Sequence, residues 1–397
     1  HGQPMPDSYT QGQPIAQLQG QSLKIQEPLC KFSRHGESGL EFSDFLPWQS
    51  KLADDVCVIR SMVTEQINHD PAHTFMNTGT AISGRPSMGS WLTWGLGSAN
   101  QNLPAYVVLV SGGKTPSSGK SVWGSGFLPS VHQGVQCRTS GDPVLYLGNP
   151  PGVDGVTRRG SIDAIQALDR IAAAKDADPE TITRIEQYEL AYRMQTSVPE
   201  VMDLDNEDPK TLEMYGIGDE PSSFARNCLL ARRMVEQDVR FVQLFDWGWD
   251  THGTNPSDDI IHQLPKKCQE TDRPVAALIK DLRQRGLLDD TLVIWTGEFG
   301  RTAMNEERNG STYLGRDHHP HCYSMWMAGG GVKGGYTHGE TDEFGYSITR
   351  DPVHVHDLQA TILQLMGFDH EQLTYPYQGR DFRLTDVHGK VISDLLS

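Results

Sequence analysis

The chain has 397 residues, 37% of them hydrophobic, and a formal net charge of −17. That length supports a sizeable core, in one large domain or two smaller ones, and so acidic a chain argues against a free nucleic-acid surface, which needs clustered Lys and Arg. No apolar run approaches the roughly 20 residues needed to span a bilayer, and the six cysteines form no CxxC pair, which argues against ribbon-type zinc sites and thioredoxin-like redox chemistry.

Residues 1–50 open with a Gln-, Gly- and Pro-rich stretch through about Ser43 and read as a loop-rich lead-in. VCVIRSM (56–62), AYVVLV (105–110) and DPVLYLG (142–148) read as short buried strands. The pattern turns helical over 161–195, first in IDAIQALDRIAAAK and then in PETITRIEQYELAYRMQ, where a Pro marks the helix start. SSFARNCLLARRMVEQ (222–237) predicts a helix feeding the strand RFVQLF (240–245). PVAALIKDLRQRG (274–286) predicts a helix feeding TLVIWTG (291–297). YSMWMAGGG (323–331) reads as a strand and VHVHDLQATILQLMG (353–367) as a helix, with His354, His356 and Asp357 at its capped start. Alternation of this kind predicts an α/β fold, a mainly parallel sheet covered on both faces, with ligands at the carboxyl ends of the strands.

Polar clusters collect at those ends. NHDPAHTFMNTG (68–79) follows the first strand and offers His69 and His73. DWGWDTHG (246–253) offers Asp250 and His252, two apart on a loop, where both reach one cation. GEFGRT (297–302) offers Glu298 as ligand or general base and Arg301 as a holder of anionic oxygens; alone, the two could equally be a salt bridge. GRDHHPHC (315–322) offers Arg316, Asp317, His318, His319 and His321. Adjacent His318 and His319 cannot easily bind one ion, so one of them faces elsewhere. SGGKTPSSGKS is not a P-loop, because Lys114 stands where the first Gly is required.

Together these stretches resemble the alkaline phosphatase/sulfatase superfamily, and more closely the sulfatase-like family called "domain of unknown function 1501". TLVIWTGEFG resembles the superfamily strand that ends in an Asp-His metal pair, HDLQATILQLMG its late DLxxTILxLxG helix, and HDPAHTFMNTG the signature CxPSRxxLLTG. WDTHG, GEFGRT, GRDHH and YQGRDFR carry the closer likeness, which extends over nearly the whole chain. On the signature, His69 falls where the catalytic Cys or Ser stands, Pro71 on the Pro, His73 on the Arg and Thr78-Gly79 on the TG. Glu298-Phe299 replaces Asp-His.

The resemblance implies one domain over 1–397 with an alkaline phosphatase-like three-layer α/β/α sandwich, and a first strand carrying an Asp ligand upstream of His1. It implies an exported, extracytoplasmic protein, often of the twin-arginine type. It also implies a metal-dependent hydrolase of sulfate or phosphate esters, acting on a small-molecule or carbohydrate ester. The divalent ion expected is zinc ahead of calcium, manganese or iron. Asp250, His252 and one of His318 or His319 would hold one cation, with Asp317 beside them; His69, Glu298 and the upstream Asp would hold a second. Arg301, Arg316 and His321 would face the anion and His73 would act as acid or base. The alternative is a non-catalytic, metal-stabilised binding or assembly protein on the same fold, as a homo-oligomer or part of an exported complex, since the usual nucleophile is missing.

Overall fold

The computed structural model describes residues 1–397 apart from 13–15, 17, 19–21, 140, 145–147, 177–178, 219–222 and 309. The lead-in contains a one-turn helix α1 (Asp7–Thr10) and a hairpin of β1 (Phe32–His35) and β2 (Leu40–Ser43). It is not a loose tail: Met5 and Leu18 are buried against Met304 and Tyr346. Then come β3 (Val56–Val63), α2 (His69–Thr78), α3 (Met88–Leu96), β4 (Tyr106–Ser111) and β5 (Val135–Gln136). Four helices follow, α4 (Gly155–Asp176), α5 (Pro179–Met202), α6 (Pro209–Tyr215) and α7 (Phe224–Glu236). The last third holds β6 (Phe241–Asp246), α8 (Gln263–Gln284), β7 (Val293–Trp295), β8 (Gly300–Arg301), β9 (His318–His319), β10 (Tyr323–Ala328), β11 (Tyr336–His338) and α9 (Val355–Leu365).

Two expectations change. Helix α8 starts at Gln263 and takes Pro274 into its interior. Of the strand expected over 142–148, residues 142–144 form bends and 145–147 lie outside the described residues.

The central strands form two sheets, apart from two-stranded ladders such as β1–β2 and β8–β9. In one the order is β11-β3-β10-β7, with the short strand Val353–His354 also on β3; in the other it is β5-β4-β6. The second is all parallel. The first is mixed: β3, β7, β11 and Val353–His354 run one way and β10 alone runs antiparallel, to both β3 and β7. The reason is local. His318 and His319 lie at the carboxyl edge of the sheet, and the chain re-enters the sheet only a few residues later at Tyr323, from that same edge. A connection so short permits only the reverse direction.

Alternate strand residues face opposite layers, as the period of two requires. Val107, Leu109, Val242, Leu244, Val293 and Trp295 pack with Leu229 and Leu230 of α7 and Ile279 and Leu282 of α8. Cys57, Ile59, Met325, Met327, Ile294 and Phe241 pack with Trp91 and Leu92 of α3 and Ile362 and Leu363 of α9. Both sheets thus share both cores, with helices on each face. Yet β6 bonds only to β4 and β7 only to β10, and among the described residues no backbone hydrogen bond joins β6 to β7. Every residue of both strands stays half-buried, whereas β4 is almost wholly buried. All six cysteines are free thiols, and all but Cys30 are buried.

Candidate metal centre

The carboxyl ends of β3, β6 and β7 converge. Asn68 ends the turn after β3, and His69 and His73 follow in α2 one helical turn apart, on one face. Asp250 and His252 lie in the loop after β6, and Glu298 lies just after β7. Arg301 is held opposite His318 by the β8–β9 ladder.

Asp250 is the hub. Its Oδ2 lies 3.1 Å from His69 Nε2. Its Oδ1 lies 2.8 Å from His252 Nε2 and 3.3 Å from His318 Nε2, and also accepts from Arg301 Nη2. Each imidazole is fixed on its far side. His69 Nδ1 meets Glu298 at 2.7 Å, His252 Nδ1 meets Glu306 at 2.6 Å, and His318 Nδ1 meets the Ile67 carbonyl at 2.7 Å. Outer nitrogens anchored to acceptors, with inner nitrogens converging, is how histidines are oriented around a metal ion.

The charges are strongly coupled. Burial works to raise the Asp250 carboxyl, but the His252, His318 and His69 rings around it and the Arg301 charge hold it well below the usual carboxylate range. Burial disfavours charge on His69, but its bonds to Asp250 and Glu298 outweigh that and raise it to about 9. The same balance raises His252, between Asp250 and Glu306. Burial would raise Glu298, and hydrogen bonds from His69 and His73 hold it well down. His318 goes the other way: burial lowers it by more than the neighbouring Asp250 carboxylate raises it.

His318 is therefore neutral near pH 7, and its tautomer is fixed. A carbonyl only accepts, so Nδ1 carries the hydrogen toward Ile67. The Nε2 lone pair then faces a carboxylate oxygen at 3.3 Å, two acceptors turned toward each other. A cation between them removes the conflict. Asp250, His69, His252 and His318 have ligand atoms within 4.8 Å of one another. Three imidazole nitrogens and one carboxylate oxygen suit zinc or a similar divalent ion, so the residues present fit such a group.

The structure redistributes the expected roles. His69 reaches Asp250 beside His252 and His318, and on its outer nitrogen it also groups with Glu298 and His73, whose ligand atoms lie within 4.8 Å of one another. His73 Nε2 is 3.4 Å from Glu298, and its Nδ1 is buried without a partner. Of the adjacent pair, His318 faces the cluster. His319 is fully buried, stacks on Tyr346 and bonds its carbonyl at 2.6 Å, and burial lowers it to about 4. His321 stands beside His319, ring centroids 6.1 Å apart. Asp317 is buried and accepts the backbone N–H of Leu18 and of His318. Arg316 donates to the carbonyls of Thr302, Gln26 and Glu27, pinning the lead-in.

One participant has no sequence signal. Glu306 is fully buried in a loop, bonded to Arg308 and, across 54 residues of chain, to His252. Nothing periodic surrounds it; only the fold shows the pairing. A cleft of about 250 Å³ lined by Asn102, Ser197, Arg232 and Arg233 lies elsewhere, but both arginines are spent on Glu207 and Arg232 also on Glu236. The histidine cluster is the stronger candidate.

Fold and cluster define an α/β protein with a histidine–carboxylate centre at the carboxyl edge of its sheets. The chain belongs to the family described as "Protein of unknown function (DUF1501)", whose model matches residues 1–396. No curated protein matches the sequence significantly. Similar solved structures include Ps i-CgsB in complex with k-i-k-neocarrahexaose, at 10% identity and a TM-score of 0.38 over 81% of this chain and 66% of that one. A phosphonate monoester hydrolase from Silicibacter pomeroyi is similar at 12% identity and 0.35, over 81% and 68%. A protein in complex with its substrate D-glucosamine-2-N,6-O-disulfate is similar at 13% identity and 0.32, over 88% and 77%. The chain spans about two thirds of the length of the first two, and likeness at this level says nothing of activity.

Proposed function

We propose that the protein is a metal-dependent hydrolase of sulfate or phosphate esters. The observation that carries the metal is the convergence of three imidazole Nε2 atoms on the Asp250 carboxylate, each ring anchored from behind by an acceptor at its Nδ1. The ester class is supported by the resemblance of HDPAHTFMNTG, TLVIWTGEFG and HDLQATILQLMG to sulfatase segments.

Asp250, His69, His252 and His318 hold the ion. When bound, a divalent cation supplies Lewis acidity toward an ester oxygen and toward water. His69 is anchored at Nδ1 by Glu298 and turns its Nε2 toward the atoms offered by Asp250, His252 and His318, so it serves as a ligand. Arg301 orients the anionic group, and His73, whose Nε2 lies 3.4 Å from Glu298, is the acid or base.

Elemental analysis of the purified protein, alone and as His252→Ala, tests this first. Near-stoichiometric zinc or another divalent ion, lost in the variant, supports it, and aryl sulfate and aryl phosphate hydrolysis then tests the chemistry. No bound or bindable metal refutes it. Metal binding with no turnover on any ester favours the second reading, a non-catalytic binding protein. The specific observation behind that reading is that His69 occupies the nucleophile position with its Nδ1 on Glu298 and its Nε2 turned toward Asp250.

A further inference from the structure

Asp250 Oδ1 is oversubscribed. His252 Nε2 and Arg301 Nη2 donate to it and take its two lone pairs, while the lone pair of His318 Nε2 faces the same oxygen at 3.3 Å. A divalent cation at Asp250 adds a third claimant, and one that repels the guanidinium at contact distance. The histidines are anchored from behind, by Glu306 and by the Ile67 carbonyl. Arg301 is the group that can leave. Its backbone is fixed in the β8–β9 ladder, but its side chain is 25% exposed and, among the described residues, is otherwise held by one 3.3 Å bond from Nη1 to the Arg316 carbonyl and by the Phe299 ring. Of the two arginines beside the cluster, Arg316 is locked on three carbonyls, so Arg301 is the one that points into it.

We infer that Arg301 is a two-position switch: it caps Asp250 when no cation is present, and a cation releases it to bind a tetrahedral oxyanion. The inference rests on the metal centre proposed above and assigns the anion-binding group within it. A planar guanidinium suits sulfate and phosphate oxygens, which it meets with two parallel N–H donors. The anion then lies between two positive groups that would otherwise repel. Metal and anion are therefore positively coupled, and the coupling is reciprocal. The metal-free site has its anion-binding arm folded onto its own metal ligand, so the ordered sequence is metal first, anion second.

The test is calorimetric titration of Zn2+ into chelator-treated wild-type and Arg301→Gln protein, each with and without sodium sulfate. Without sulfate, Arg301→Gln is expected to bind Zn2+ about fivefold or more tightly than wild type, because the competitor for Asp250 is gone. Sulfate is expected to tighten Zn2+ binding in wild type by a similar factor and to leave Arg301→Gln unchanged. Equal or weaker Zn2+ binding by the variant, or a sulfate effect that survives it, overturns the switch while leaving the metal centre standing. Zn2+ binding by neither protein overturns both. Arg301→Lys keeps the charge without the planar fork, and serves if the Gln variant does not fold. It is expected to bind Zn2+ like wild type and to lose most of the sulfate effect; a retained sulfate effect overturns the proposal.

Discussion

Glu306 offers the sharpest test of how the centre is held. Its Oε2 fixes His252 Nδ1 at 2.6 Å and its carboxylate is fully buried, so Glu306→Gln changes the charge behind the ring with little change of shape. Loss of such an outer carboxylate weakens metal binding by about 10- to 100-fold, or about 1.4–2.8 kcal/mol. A second effect opposes the first. Glu306 also helps raise His252, so in the variant the proton that competes with the metal is held less tightly. At about pH 6, where protons compete, the variant recovers part of its deficit; at about pH 8 it shows nearly all of it. Zn2+ titration at both values, on wild type and variant, reads the difference directly. A deficit that stays constant or shrinks as pH rises refutes the assignment, and so does unchanged affinity. A merely structural role for Glu306 would lower thermal stability without producing this slope.

Three further outcomes follow from the same geometry. Folded His69 is raised to about 9, against an ordinary value of about 6.5. The metal-free protein therefore has the His69 contribution in full below about 6.5 and loses it as pH rises through about 9, which melting of chelator-treated protein across that window measures. Over the same window metal binding strengthens with pH, and titrations in buffers of different ionisation enthalpy are expected to show protons released on binding. Asp250→Asn is expected to abolish measurable metal binding and to cost about 1–3 kcal/mol in urea denaturation, the buried-pair figure discounted because the side chain is about a third exposed. Arg316→Ala is expected to leave metal affinity intact, to cost about 2–4 kcal/mol through its lost carbonyl bonds, and to make residues 1–30 cleave faster in limited proteolysis; weakened metal or anion binding instead would return Arg316 to the site.

Most of the site was legible because its residues sit where strands end. Strand VCVIRSM, then NHDPAH, and strand RFVQLF, then DWGWDTHG, are local patterns, and the rule for parallel strands brings their carboxyl ends together. Which histidine of a pair turns inward was not legible. His318 and His319 differ by one position in the two-residue strand β9, and the face each takes is set by pairing with Arg301 and Gly300. The direction of β10 was also hidden, since YSMWMA reads alike either way and only the short return from the His318 edge decides it. The helical pattern around PVAALIKDLRQRG was legible but its start was not: α8 begins at Gln263 and carries Pro274 eleven residues in, packed within its buried face. Glu306 was invisible for a simpler reason: a buried loop carboxylate and its partner 54 residues away share no pattern.

The two half-sheets share helices but no backbone bond across β6 and β7. Asp250 follows β6, Glu298 follows β7, and one imidazole, His69, touches both, at 3.1 and 2.7 Å. That ring is a clasp across a seam. The chemistry at the top of the sheet and the spacing of the strands beneath it are one mechanical unit: anything that widens or narrows the seam stretches or compresses the contacts around Asp250, and an ion held there pulls the halves into register.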